Sequence, residues 1–306
     1  MSEKRHALPP LSGILNINKP SGLTSHDVVH RVRRILKQRK AGHAGTLDPT
    51  ATGVLLVCVG QATRLVEYLV KSTKEYRAVI RFGVATNTYD AAGEVTATAD
   101  ANGLTRSQVR QALEAFIGEI RQKPPPFSAI KKDGVPLYKL ARRGQRVDPP
   151  SRPVYIDSIE LLAWERSLAT ILVRCQAGTY IRSLAHDAGQ RLGVGAHLSD
   201  LTRTASGEWR LEDAITLDTL AQAAAAGTAA RLLHPLDAAI AAMPAVTLSA
   251  ATARRVIFGQ KIELDVPGEP PTVRAYTPAG DFLAILIPSS PGVWQPHKVF
   301  TAALSP

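Results

Sequence analysis

The sequence predicts an α+β protein in two parts, a larger domain over residues 1–240 and a small β-rich domain over 245–306. Three observations predict this. The chain has 306 residues, more than one domain of about 150. Alternating or wholly apolar runs with strand character are interleaved with segments of helical period up to about residue 226. Beyond the proline-bearing stretch HPLDAAIAAMPAV (234–246), strand patterns return.

SGILNINK (12–19) alternates like a strand and ends in the turn Lys19-Pro20-Ser21-Gly22. SHDVVHRVRRILKQ reads as a helix with Ser25 as N-cap. Val28, Val29, Val32, Ile35 and Leu36 share one face, and a basic stretch over 31–40 rides the remaining surface. VLLVCV (54–59) has the length and composition of a buried strand, and YRAVIRFG (76–83) alternates. Thr105-x-x-Gln108 is a capping box for a helix through Phe116-Ile117, stopped by Gly118. ATILVRCQAGTYI (169–181) reads as a strand leading into the helix RSLAHDAGQRLG, with Gly193 past its end. An alanine-rich helix follows at 216–226. SAATARRVIFG is a short helix, and VRAYTPAGDFLAILI is a hairpin around Pro278–Asp281.

Composition narrows the class. Hydrophobic residues make up 45% of the chain, enough for a sizeable core. No run of 18 apolar residues is present, so no membrane helix is expected, and MSEKRHALPPLSG lacks the apolar segment of a signal peptide. Cys58 and Cys175 sit in apolar runs and read as buried hydrophobes in a reducing, cytoplasmic compartment. The net charge is +11. Residues 1–50 hold nine basic against three acidic groups, and residues 101–150 hold ten against four. Such concentration points to a polyanionic partner, with nucleic acid the default. Residues 123–153, KPPPFSAIKKDGVPLYKLARRGQRVDPPSRP, carry eight cations and few core residues, as an inserted arm over a binding surface would.

Familiar cofactor and metal sites are missing from the sequence. There is no P-loop and no Gly-x-Ser-x-Gly elbow, and Gly193-Val-Gly195 lacks a third glycine. No Cys/His cluster has zinc spacing, and His43, His186 and His197 are scattered. What stands out is AGHAGTLDPTATG (41–53), a nearly uncharged loop with one carboxylate, Asp48, before a buried strand.

AGHAGTLDPTATGVL closely resembles the catalytic segment of the TruB family of tRNA pseudouridine synthases. NINKPSGLTSHDVV, KEYRAVIRFGVATNTYDAAGEV, PPPFSAIKKDGVPLYKLARRG, CQAGTYIRSLAHDAGQRLG and AHLSDLTRTASG resemble five further segments, and all six fall within residues 14–207 in the family's order. Departures at Gln176-Ala177, Thr202 and Phe127 bear on individual RNA contacts.

The resemblance implies a catalytic domain on a mixed, largely antiparallel sheet flanked by helices, with a PUA-like C-terminal domain. It implies isomerisation of uridine to pseudouridine at position 55, in the TΨC arm of tRNA. Asp48 is the implied essential acid, Arg182 its cationic partner and Tyr76 the aromatic residue against the base. Attack at C1′, attack at C6 and removal of the C2′ proton all stay open for Asp48. His43, Tyr180 and Leu201 are expected around the flipped nucleotide. Lys19, Lys131, Lys132, Arg142, Arg143 and Asp90 are expected at the RNA, with binding that weakens steeply as salt rises. No cofactor or metal is expected. The expected partner is tRNA, bound by a monomer without an obligate protein partner. A non-catalytic RNA-binding or tRNA-folding module, and a synthase acting on another RNA, are the competing readings.

Overall fold

The computed structural model describes residues 11–126, 149–268 and 270–300, and between them the backbone of 131–132 and 135–136. The larger part is built on a nine-stranded sheet. Its strands are β1 (Gly13–Lys19), β2 (Ala41–Ala44), β3 (Thr52–Val59), β4 (Lys74–Phe82), β7 (Gly118–Gln122), β10 (Arg152–Glu165), β11 (Leu168–Cys175), β12 (Ala196–Ser206) and β13 (Trp209–Arg210). The order is β1-β3-β12-β4-β11-β10-β7, with β2 on β3 and β13 on β12. The strands β5 (Val84–Thr86) and β6 (Val95–Thr98) form a separate hairpin, as do β8 (Lys131–Lys132) and β9 (Val135–Pro136). The smaller sheet has order β14 (Ala245–Thr247), β16 (Val273–Tyr276), β17 (Phe282–Ser290), β18 (Val293–Val299) and β15 (Ile262–Glu263). The expected C-terminal hairpin is β16–β17.

One pairing in the large sheet is parallel: β3 meets β12 at Thr52↔Thr202 and Gly53↔Arg203. The backbones come so close that a Cβ on Gly53 would lie 2.2 Å from the Arg203 carbonyl oxygen, and Gly53 also takes φ +98°. Glycine alone satisfies both demands. The Asp48 loop enters β3 at this seam.

Helices cover the sheet with their apolar faces. α1 (Ser25–Leu36) buries Val28, Val29, Val32 and Leu36, as its period predicts. Its N-cap is Thr24, not the expected Ser25. Thr24 and Asp27 form a reciprocal capping box. This frees Ser25, one residue into the helix, for a task at the Asp48 loop. α2 (Val66–Val70) is short. α3 (Arg106–Glu114) starts at its Thr105–Gln108 box but ends before Phe116. Gly118, at φ +95°, opens β7 rather than closing the helix. α4 (Ile181–Arg191), α5 (Leu217–Ala225) and α6 (Ala250–Ile257) complete the set.

The small sheet has its own apolar core around Leu248, Val256, Leu286 and Trp294. It is joined to the large part by a mixed cluster of Leu65, Ile240, Ile285 and Phe300, and by a Lys298–Glu67 ion pair. Among the described residues, no helix is long and apolar enough to cross a membrane.

Candidate active site

The loop that carries Asp48 is fixed at three points. At its start, Arg203 Nη2 donates to the Gly45 carbonyl at 2.9 Å. In its middle, the buried Ser25 hydroxyl accepts from Leu47 N at 2.9 Å and bonds Leu47 O at 3.1 Å. At its end, Lys19 Nζ donates to Pro49 O at 3.1 Å, and also to Pro20 O and Leu23 O. Turn residues alone would leave such a loop mobile. Here three side chains from β12, α1 and β1 replace the hydrogen bonds that regular structure would have supplied.

Lys19 is therefore not at the RNA surface, as expected from its motif. Its side chain is fully buried, and burial pulls its amine down to about 8. A lysine with all its donors on carbonyls of the site is a brace for the backbone.

Arg182, near the start of α4, reaches the loop from the opposite side. Its Nε lies 2.9 Å from Asp48 Oδ2 and its Nη2 3.1 Å from Oδ1, a fork-on-carboxylate arrangement. Arg182 is 5% exposed, whereas the Asp48 side chain keeps 37% toward the cleft. Burial is the largest influence on Asp48 and raises its pKa. Arg182 opposes the rise, Asp90 adds to it and Lys19 opposes it. Arg182 thus limits the rise rather than reversing it.

The cleft beside Asp48 has a volume of about 270 Å³. Tyr76, Tyr180, Leu201, Lys74 and Arg152 are among its walls. Tyr180 is set by Gln122, whose Oε1 accepts from Tyr180 N at 2.7 Å while its Nε2 donates to Tyr180 O at 3.0 Å. The Arg152 guanidinium lies 5.1 Å from the Tyr180 ring centre. The Tyr76 phenol is buried and partnered by Arg203, and burial raises its pKa, so it stays neutral. Lys74 Nζ donates to Leu69 O, Val70 O and Ser72 O at the C-terminal end of α2, where the helix dipole favours a cation.

Asp90 faces inward, with Oδ2 3.5 Å from Arg182 Nη1 and Oδ1 accepting from Thr88 Oγ1 and Ala92 N. It is a second carboxylate on the same guanidinium. A smaller hollow of about 150 Å³ shares Asp48, Arg182 and Leu201 with the cleft and is otherwise lined by residues including Asp90, Leu198 and Asp200. His43 sits on β2 opposite Val57 and outside the residues that line the cleft. Burial and the Arg203 charge lower its pKa. The side chains of Lys131 and Lys132, and all of Arg142 and Arg143, lie outside the described residues.

Sequence reasoning assigned no role at the site to Arg203, Lys74 or Gln122, and gave Ser25 only a helix cap. Arg203 carried a signal in the Leu-Thr-Arg-Thr segment. Ser25 and Gln122 pair with backbone groups 22 and 58 residues away, which no local pattern marks, whereas Lys74 caps the end of the short helix just before it.

A profile described as the N-terminal domain of the TruB family of pseudouridylate synthases matches residues 33–181. A second, described as the C-terminal domain of tRNA pseudouridylate synthase B, matches 182–241. This chain belongs to the TruB family of pseudouridine synthases. It is 53% identical over 259 residues to tRNA pseudouridine synthase B of Symbiobacterium thermophilum, covering 84% of this chain and 85% of that one. It is 43% identical over 290 residues to the protein of that name from Dehalococcoides mccartyi strain 195, covering 95% and 97%. Among solved structures it is similar to a chain of a Cbf5-Nop10-Gar1 complex, with a TM-score of 0.70, 32% identity and coverage of 90% and 78%. The structure of an H/ACA RNP bound to a substrate RNA containing 2′-deoxyuridine gives 0.71 at 26% identity, covering 98% and 92%. The family model boundary falls between Ile181 and Arg182, at the start of α4.

Proposed function

We propose that this TruB-family enzyme converts uridine 55 in the TΨC arm of tRNA to pseudouridine, with Asp48 as the essential carboxylate. The observation that carries the reading is the Asp48–Arg182 fork opening onto a cleft walled by Tyr76, Tyr180 and Leu201. The names of the bacterial relatives support tRNA as the substrate.

The reaction breaks the N1–C1′ bond and joins C1′ to C5. C5 loses its proton and N1 gains one, so nothing is oxidised or reduced. A target base held in an RNA fold must first be everted, at a cost of a few kcal/mol. Stacking on a ring such as Tyr76 returns about 1–3 kcal/mol. Arg182 orients the Asp48 carboxylate and favours its charged form, while the three-point anchorage of residues 45–49 fixes where it meets the ribose and base. Arg152 and the basic segment 123–153 supply phosphate contacts, with tRNA as the only macromolecular partner this reading requires.

The test uses the full chain and an unmodified tRNA transcript tritiated at uracil C5. Tritium release should occur and should be lost in Asp48→Asn, and the product should map to position 55. Release unchanged in Asp48→Asn would overturn the catalytic assignment. Product at another site or in another RNA would overturn the substrate assignment. Binding with no release by the native chain would favour a non-catalytic module.

A further inference from the structure

Arg182 is gripped from a second side. Its Nη1 donates to the Thr88 carbonyl at 3.2 Å and lies 3.5 Å from Asp90 Oδ2, both on the loop after β5. Between these two residues stands Tyr89, at φ +64°. The left-handed conformation strains a residue with a Cβ and persists only where surroundings enforce it. The Tyr89 ring lies flat on the His186 imidazole, centroids 3.8 Å apart and planes at 13°. His186 follows Arg182 by one turn on α4, on the same face. Neither ring lines the cleft or the smaller hollow.

We propose that the Tyr89–His186 stack is a positioning device for the reaction: it fastens the Thr88–Asp90 loop to the helix that carries Arg182, and so holds the guanidinium in register with Asp48. This rests on the catalytic reading of Asp48 given above. The loop is tied elsewhere to β12, through Leu198 N to Tyr89 O at 2.9 Å and Ala91 N to Leu198 O at 3.0 Å. Those bonds fix it against the start of β12. The stack joins the loop to α4 one turn beyond Arg182, at a point that does not depend on the guanidinium. Burial lowers the His186 pKa and so disfavours a second cation beside Arg182.

The groups facing Asp48 are Arg182 from α4, Asp90 from the loop, Lys19 from β1 and Tyr76 from β4, with Asp200 across the smaller hollow. Asp187, next to His186, is pushed up by burial to about 6. All are retained in the variants below.

The experiment is single-turnover tritium release by the full chain across about pH 5 to 8, with RNA affinity measured alongside. Tyr89→Gly removes the ring while relieving the left-handed backbone, and His186→Leu removes the other ring. Each should slow the step about 10- to 100-fold at neutral pH. Each should also raise the acid limb of the profile by about one pH unit, because Asp48 loses part of its cationic partner. RNA affinity should be unchanged. Tyr89→Phe keeps a ring and should restore the native limb. An acid limb that stays in place in both ring-removing variants overturns the proposal, whatever the rate. Failure of both to fold overturns it too, since the stack would then be a folding element. If one folds, that one decides. Release independent of Asp48 would instead sink the proposed function, so the two failures are distinguishable.

Discussion

The two sheets handle charge in opposite ways. Among the described residues, every buried polar or charged side chain lies between Asn16 and Ser206. Four of these are cations: Lys19, Lys74, Arg182 and Arg203. The buried core of the small sheet, by contrast, is wholly apolar, from Leu248 to Trp294. Burying a cation costs folding energy unless hydrogen bonds replace water. The larger part bears that cost four times around the Asp48 loop and its cleft, and each ammonium or guanidinium ends on backbone carbonyls or a carboxylate. The small sheet spends nothing on buried charge, while the larger part gives up stability to fix a loop.

The largest effect should come from uncoupling these two properties. Arg203→Met leaves Gly45 O and Val54 O without their donor, at about 1–3 kcal/mol for each buried carbonyl, partly offset because a charge is no longer buried. The rate should fall about 100-fold, since the start of the Asp48 loop loses its anchor. Leu286→Ala, in the small sheet, should cost about 2–5 kcal/mol and leave the rate at saturating RNA unchanged. Urea unfolding and single-turnover release on both variants check this. Equal rate losses would break the comparison.

Next in size is a pH effect on stability. Burial lowers Lys19 and Lys74 from 10.5 to about 8. Between about pH 8 and 10.5 the unfolded chain therefore holds protons the folded one has released, and stability rises with pH. Below about pH 8 both lysines are charged in both states and contribute no slope. Cys58 and Cys175 act oppositely, because burial raises them from 9.0 to about 12 and about 11. Their thiols ionise first in the unfolded chain, so they remove stability above about pH 9. The window from about pH 8 to 9 isolates the lysines, each worth up to about 1.4 kcal/mol per pH unit. Urea unfolding at both ends of the window should show the rise, and Lys74→Met should remove about half of it. A slope the variant leaves intact would assign the rise to other groups.

How much of this was legible in the sequence follows from where each partner lies. Period and capping patterns are local, so β1, α1, β4 and the C-terminal hairpin could be read directly. The ends moved where a local rule met a longer-range demand. Ser25 is taken from the capping role by Leu47, and Gly118 by the start of β7. Asp48 and Arg182 stand 134 residues apart; their motifs named both, but no spacing rule could pair them. Lys19 shows the limit in the other direction. Its motif and charge suggested a surface contact, while two of its carbonyl partners lie on the turn that follows it and the third, Pro49 O, is brought to it only by the fold.

The smallest expected effect is also the finest test of how the cleft manages charge. Asp90 shares Arg182 with Asp48, and its charge raises the Asp48 pKa, though less than burial does. Asp90→Asn removes that charge and keeps an oxygen to accept from Thr88 Oγ1 and Ala92 N. Lowering the Asp48 pKa extends the carboxylate form to lower pH. The acid limb of tritium release should therefore move down, by less than about one pH unit, with the neutral-pH rate within about threefold of native. A limb that moves up would mean that Asp90 acts mainly by holding Arg182 in place, so that losing its grip on the guanidinium outweighs losing its repulsion of Asp48.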